Sequence, residues 1–548
     1  MTIPNIFIAG GWIPFVVVML LTFFFATMYI RWFQHSQISE FSSTLTSVSG
    51  LVVTLMTSAL VPVDVFLISY MKNADGSFKE WAADNSTQNS IEDTISYCYY
   101  GLYGLVALFV FVILPFMYFF YEEKDDSVTN KERCCTALKY SMVFLLAAFV
   151  ILITGAFVPL KPLPSNMTAF DEKFNFLKHE LENYKNIKQT MSILVGVISM
   201  FGMLMLIQYV AFGMSALPLG MIRCGKIYRE EPESRQKLSR KEKDKEKANM
   251  LRAKIKAKVS LTRFERNEMR RIEQDELLQN RIDRKKKKMK KGIFHKLLQL
   301  LKPFQVLFGV FFLFISLLIM ISLTITSIDK ALHSLGLKSG YALPKPTFPN
   351  PVNIVMVYTQ QVFPLDYLLF TGVILFFVFG CMNGIKKIGI WCCCIKMFKI
   401  RPGRTMPQAL IFMVFILMLM IVSLNILLLT AIPQYMQFGN QKYSLYSQNS
   451  TNSSRHNETD IKPQTYLCTT NAPEGHCIMS RLAIILNTLF YKAWFFGAFY
   501  YWSIWLFIGV YYIGLIYNVV AMFRKKTIAE ILSSDEDSEE DMHRLLTA

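Results

Sequence analysis

Charged side chains are scarce in this chain: Asp, Glu, Lys and Arg make up 18% of its 548 residues, against about 25% in soluble globular domains. Histidine is rarer still, with seven residues at 35, 179, 295, 333, 456, 476 and 543 that never cluster. His-Glu-x-x-His, Gly-x-Ser-x-Gly, a calcium-loop pattern and the Cys/His spacings that hold zinc are all missing. The nearest approach to a phosphate-binding loop is Gly220-Met-Ile-Arg-Cys-Gly225-Lys226-Ile227. It lacks the terminal Ser/Thr that would hold magnesium, and it follows an apolar run rather than a strand. These absences argue against an enzyme and against a metal or cofactor of the chain's own.

What is abundant is apolar surface: 53% hydrophobic and 14% aromatic residues, gathered in blocks rather than spread with helical or strand period. Blocks of about twenty such residues are bilayer spans. They fall near 6–30, 48–70, 97–121, 138–160, 190–219, 303–326, 353–382, 409–432 and 485–523. The predicted fold is an all-α polytopic membrane protein with about nine transmembrane helices. The stretches 353–382 and 485–523 exceed one crossing and leave room for an interfacial or re-entrant piece. Four segments follow: 1–222 with helices one to five, a basic helical loop at 223–302, 303–523 with helices six to nine, and an acidic tail at 524–548.

The net charge of +18 is local. Residues 223–302 hold 28 Lys and Arg against 12 Asp and Glu, which is +16 of the total. A basic loop between spans belongs on the cytosolic side. Its plain reading is a solvated helical arm; the functional alternative is a docking surface for a cytosolic partner or for anionic lipids. Nucleic acid is not an expected partner. The first span reads as an uncleaved anchor with its N-terminus lumenal, and alternation then puts the C-terminus in the cytosol. Asn-x-Ser/Thr acceptors at Asn85, Asn166, Asn449, Asn452 and Asn457 all fall on the lumenal side of that scheme, as glycosylation requires. Three of them cluster in a lumenal loop at 433–484.

In the same loop Cys468 and Cys477 flank a Pro-Glu-Gly turn, and an oxidising lumen favours a disulfide between them. Cys134, Cys135, Cys224 and the run Cys392 to Cys394 read as reduced thiols near the membrane or as palmitoylation sites. Two ionisable groups stand inside spans: Asp64 in Val61-Pro-Val-Asp64 and Asp366 in Phe363-Pro-Leu-Asp366. A charge at such depth costs on the order of 2.5–3.5 kcal/mol on insertion scales. Each therefore serves either as a cap for backbone donors freed near its proline or as a ligand or proton site. In the tail, Asp541-Met-His-Arg-Leu545-Leu546 has the acidic dileucine form that clathrin adaptors read, routing membrane proteins to endosomes and lysosomes.

The chain resembles the limb-region membrane protein family over nearly its whole length. The resemblance is carried by Thr57-Ser-Ala-Leu-Val-Pro-Val-Asp64-Val-Phe-Leu-Ile-Ser-Tyr-Met-Lys-Asn73, Tyr121-Glu-Glu-Lys-Asp-Asp126, Gly155-Ala-Phe-Val-Pro-Leu160 and Gly213-Met-Ser-Ala-Leu-Pro-Leu219. Later blocks agree: Asp329-Lys-Ala-Leu-His-Ser334, Phe363-Pro-Leu-Asp-Tyr367, Ile388-Gly-Ile-Trp391, Arg404-Thr-Met-Pro-Gln-Ala-Leu410 and Trp494-Phe-Phe496. The resemblance implies a nine-span glycoprotein of the lysosomal membrane. Such a protein would join an ATP-binding-cassette transporter of subfamily D as an escort, so that cobalamin, the transported ligand, reaches the cytosol. It also implies clathrin-adaptor binding, with endosomal and plasma-membrane residence, and a homodimer is among the assemblies it allows. The family's tyrosine-based sorting signal is not matched here, because Tyr228 is followed by Arg-Glu-Glu with no apolar residue at the third place. Two other classes compete with the escort: an autonomous secondary transporter using Asp64 and Asp366, and an endocytic receptor for a carrier protein.

Overall fold

The computed structural model describes residues 5–35, 40–73, 75–123, 129–157, 186–229, 304–337, 340–341, 343, 346–360, 362, 364–392, 395–445, 464–469, 472–473 and 476–523. The apolar blocks fold as helices because a bilayer core offers no water to backbone N–H and C=O groups, so each crossing satisfies its own. The first half holds α1 (Asn5–Phe33), α2 (Phe41–Tyr70), α3 (Asn85–Leu108), α4 (Leu114–Glu122), α5 (Asn130–Phe157) and α6 (Asn186–Arg229). A π-helical turn, Phe109–Ile113, joins α3 to α4 as one continuous rod.

The second half holds α7 (Gln305–His333), α8 (Pro351–Thr359), α9 (Leu365–Ile388), α10 (Pro407–Ala431), α11 (Pro433–Phe438), α12 (Arg481–Lys492) and α13 (Trp494–Phe523). Two antiparallel hairpins complete it, β1 (Ile390–Cys392) with β2 (Ile395–Phe398) and β3 (Lys442–Leu445) with β4 (Gln464–Leu467). Among the described residues eight helical stretches, α2, α3–α4, α5, α6, α7, α9, α10 and α13, are long and apolar enough to cross a membrane, and Val17–Phe33 of α1 is a shorter apolar helix. The molecule is a polytopic helical membrane protein.

Both overlong apolar stretches break in two. Block 353–382 becomes α8 and α9: Asn350 caps α8 by accepting from Val352 N and Asn353 N at 3.0 and 3.1 Å, and Pro364 stands at the start of α9, where a missing N–H does no harm. Block 485–523 becomes α12 and α13, parted at Ala493. The turn at Gly340 lies against this break. A side chain there would sit 3.2 Å from Phe490 O, Trp494 O and Gly497 Cα, while the Tyr341 ring stacks on Tyr501 at 4.0 Å.

The chain divides into two units, 1–216 with 315–517 and 217–314 with 518–548. In the first, α10 is the central helix, with almost every side chain from Ala409 to Ala431 buried. It packs against α2, α4, α9 and α11. Helix α6 reaches α10 and α9 through glycines. A Cβ at Gly202 would overlap the Leu419 carbonyl and the Ser423 hydroxyl, and one at Gly213 would overlap the Gly380 carbonyl. Small residues at these crossings let backbones meet where lipid supplies no hydrophobic drive. In the second unit, Gly309 of α7 lies against Ile222 and the Pro218 carbonyl of α6.

Candidate functional site

The described residues between 433 and 482 are more than a loop: α11, the β3–β4 hairpin and the start of α12 form a small cap, and both Asp64 and Asp366 reach it. Asp64 sits on α2 two residues past Pro62 and is 1% exposed. Its carboxylate does not serve donors freed by that proline. Oδ2 accepts from Leu482 N at 3.0 Å and Oδ1 from Arg481 N at 3.4 Å. These are the first two N–H groups of α12, whose N-cap residue Ser480 accepts from Ala483 N at 3.3 Å. The orphan donors and the positive end of a helix are thus met by an anion from another helix. The Tyr99 hydroxyl, fully buried on α3, adjoins the same carboxylate.

The Arg481 side chain turns the other way and pairs with Glu92 of α3, both nearly buried. Burial lowers the Arg481 pKa, and Asp64 opposes that shift. One short stretch of α12 therefore carries an inward contact to α2 through its backbone and an ion pair to α3 through its side chain.

Asp366, in the first turn of α9, is equally buried at 1% but is bound differently. Oδ2 accepts from the Tyr435 hydroxyl at 3.1 Å and from Asn440 Nδ2 at 3.0 Å. Oδ1 has no hydrogen-bond partner. Burial raises the Tyr435 pKa above the usual tyrosine range, and Asp366 adds to the effect. Asn440 N in turn donates to Ser69 Oγ at 3.1 Å, so α9, the 433–440 segment and the end of α2 meet here.

Several residues that the sequence reading passed over hold the cap together. Gln441 is the hub: its Nε2 donates to Ile478 O at 2.7 Å and Phe438 O at 2.9 Å, while its Oε1 accepts from Ile478 N at 3.0 Å. Its carbonyl accepts from Cys468 N at 3.0 Å. Ser480 adds bonds to Met436 O at 2.7 Å and Gln437 O at 2.8 Å. Cys468 and Cys477 are joined in a disulfide with their Cα atoms 6.0 Å apart. Lys72, just past α2, donates to the carbonyls of Lys442 and His476 and lies 4.6 Å over the Phe78 ring. Its burial lowers its pKa to about 8. Ser480 had a local signal, a serine just ahead of an apolar run. Gln441 and Lys72 had none, since their partners are distant in sequence.

Other candidates stand apart from this site. Asn85 is the first residue of α3, after the Asp84 cap. Asn166, Asn449, Asn452 and Asn457 lie outside the described residues, as do most of 223–302 and the tail with Asp541, Leu545 and Leu546. Among the described residues no group of three or more His, Cys, Asp and Glu is placed to hold a metal. A cleft of about 10 Å³ opens between α8 and α11, lined by Asn353, Met356, Gln360, Gln434 and Tyr435. That is below the roughly 300–1,000 Å³ of drug-sized ligand pockets.

Comparison with known proteins places this architecture. The chain is 46% identical to a Nematostella vectensis protein named "Probable lysosomal cobalamin transporter", over 99% of this chain and all of the other. It is 37% identical to the lysosomal cobalamin transport escort protein of Danio rerio, over 97% of each chain. It is also 37% identical to that of Bos taurus, over 97% of this chain and 96% of the relative. No solved structure matches the chain. The profile of the LMBR1-like membrane proteins matches residues 11–293, and the chain belongs to that family.

Proposed function

We propose that this protein is a lysosomal membrane escort that enables cobalamin to pass from lysosome to cytosol. The observation that carries the reading is likeness at 37% identity, over nearly the full length, to proteins named lysosomal cobalamin transport escort protein; the relative at 46% identity is named a probable lysosomal cobalamin transporter. In this proposal the chain crosses the membrane nine times, with the 433–482 cap and its glycans in the lumen and the basic loop and tail in the cytosol. ATP hydrolysis comes from a subfamily D ATP-binding-cassette transporter bound to it, and Leu545 and Leu546 give clathrin adaptors the address. The geometry supports an escort in one respect. Both buried carboxylates are engaged in fastening the cap, which is the work of a structural partner. Affinity capture from lysosomes, followed by cobalamin release with and without the captured transporter, tests it. Release by this chain alone in liposomes overturns the escort.

One observation favours the autonomous transporter as a second reading. Helices α8 and α9 are discontinuous, and Asp366 at the break keeps a buried oxygen without a partner, an arrangement that secondary transporters use at substrate and ion sites. The same liposome measurement decides between the two.

A further inference from the structure

Helices α9 and α10 are each long and apolar enough to cross a membrane, and two successive crossings put both ends of the connection 389–406 at one bilayer surface. It does not hang free there. Gly389, at φ +82°, turns the chain out of α9, and β1 and β2 fold back on each other in register Trp391 with Lys396 and Cys392 with Ile395. The segment that follows β2 is tied to the end of α1: Gly403 N donates to Trp32 O at 3.0 Å, Thr405 N to Phe33 O at 3.0 Å, and His35 N to Thr405 O at 3.1 Å. The Trp391 amide donates to the Tyr209 hydroxyl at 3.1 Å and its indole to Ile388 O at 3.1 Å. The hairpin is a fixed platform.

Its charge is of one sign. Residues 383–408 contain six Lys and Arg and no Asp or Glu. Lys386, Lys387, Lys399 and Arg404 are exposed, and so is Arg31 at the end of α1 beside them. Two large apolar side chains are exposed on the same elements, Trp32 at 53% and Met397 at 42%. Cations beside an exposed Trp, at the level where spans leave the bilayer, match an interface of anionic headgroups above acyl chains.

We infer that the β1–β2 platform with the end of α1 is a binding surface for anionic phospholipid headgroups of the adjoining leaflet. Charge complementarity selects the occupant, and position supplies it, since the platform meets lipid wherever the protein is inserted. The inference rests on the membrane reading alone and not on which face is lumenal.

The test uses the full chain in phosphatidylcholine nanodiscs, which leave both faces open. These carry a minor fraction of photoactivatable phosphatidylserine or, in a parallel sample, of photoactivatable phosphatidylcholine. Peptide mapping after illumination is expected to find about fivefold or more serine-lipid adduct on 386–404, the ratio that a single cation near an anionic surface gives. Raising the salt, or the combined variant K386Q/K399Q/R404Q, which spares the Lys387 bond to Ala216 O, is expected to bring that excess down to the phosphatidylcholine level. Equal labelling by the two lipids overturns the inference. An excess that survives both salt and the triple variant, or one confined to 223–302, overturns it too.

Discussion

Asp64 and Asp366 occupy the same local sequence, an apolar residue, proline, an apolar residue and aspartate, and both are buried in the first unit. Their surroundings are nonetheless unlike. Asp64 spends both oxygens on backbone donors at the start of α12. Asp366 spends one oxygen on two side-chain donors and leaves the other bare. The pattern shared in sequence says only that a carboxylate lies near a helix disturbance. What it does is set by which part of the cap folds over it. An anion against orphan N–H groups at a helix start fastens an element, whereas a half-engaged carboxylate at a helix break keeps capacity for something further.

The sharpest way to break this comparison is to replace each carboxylate by its amide. Asn offers one acceptor and one donor group where Asp offers two acceptors. At position 64 the amide nitrogen would face a backbone N–H, leaving a buried donor unpaired. Asp64→Asn is therefore expected to lower stability by about 3 kcal/mol, read as a fall in midpoint on thermal unfolding in detergent. If the protein tolerates it as readily as Asp366→Asn, the clamp on α12 is not what holds Asp64.

Next in size is the covalent edge of the cap. Cys468→Ser opens a loop of sequence separation nine and is expected to cost about 2.5 kcal/mol on chain-entropy grounds. The comparison adds a condition. If the cap is one unit, Cys468→Ser and Asp64→Asn together will differ from the sum of the two by more than about 0.5 kcal/mol. Strict additivity would mean that the disulfide and the α12 clamp stabilise separate pieces.

Asp366→Asn should cost little, on the order of 1 kcal/mol or less. The amide oxygen can keep both Tyr435 and Asn440, and the nitrogen replaces an oxygen that had no partner. This variant is thus the clean test of function. If it folds normally, reaches lysosomes and yet fails to restore cobalamin release in cells lacking the protein, the bare oxygen works in transport. Full restoration leaves Asp366 a fastening group like Asp64.

Much of this fold was legible in the residues because bilayer spans announce themselves through length and apolarity. Over the described residues the blocks read from the sequence fall on helices, and the two overlong blocks are the two that break. The site was legible only in part. Pro62, Asp64, Pro364 and Asp366 mark burial and disturbance locally. Their partners Leu482, Tyr435 and Asn440 lie tens to hundreds of residues away, and no local periodicity carries that pairing. The break at Ala493 had no Pro or Gly to betray it; it becomes intelligible only with Gly340 lying against it.

The smallest expected effect separates the cap's buried cation from its buried anions. Lys72 is held among carbonyls and over Phe78, and burial brings its pKa from the usual 10.5 down to about 8. Between pH 8 and about 10 the unfolded chain keeps this proton and the folded chain gives it up, so the unfolded state binds more protons and stability rises with pH. The window closes near pH 10, where ordinary tyrosines ionise in the unfolded chain. Tyr435, whose pKa is raised by burial, then keeps its proton in the fold and reverses the slope. The unfolding midpoint, followed in small steps from pH 7 with the disulfide intact, should climb across this window by a modest amount. In Lys72→Gln the rise should shrink, because a neutral amide keeps a donor for one carbonyl and has no proton to lose. A variant that keeps the same slope would assign the titration to another lysine of the fold and would leave Lys72 as a charged clamp on the cap at every pH in the window.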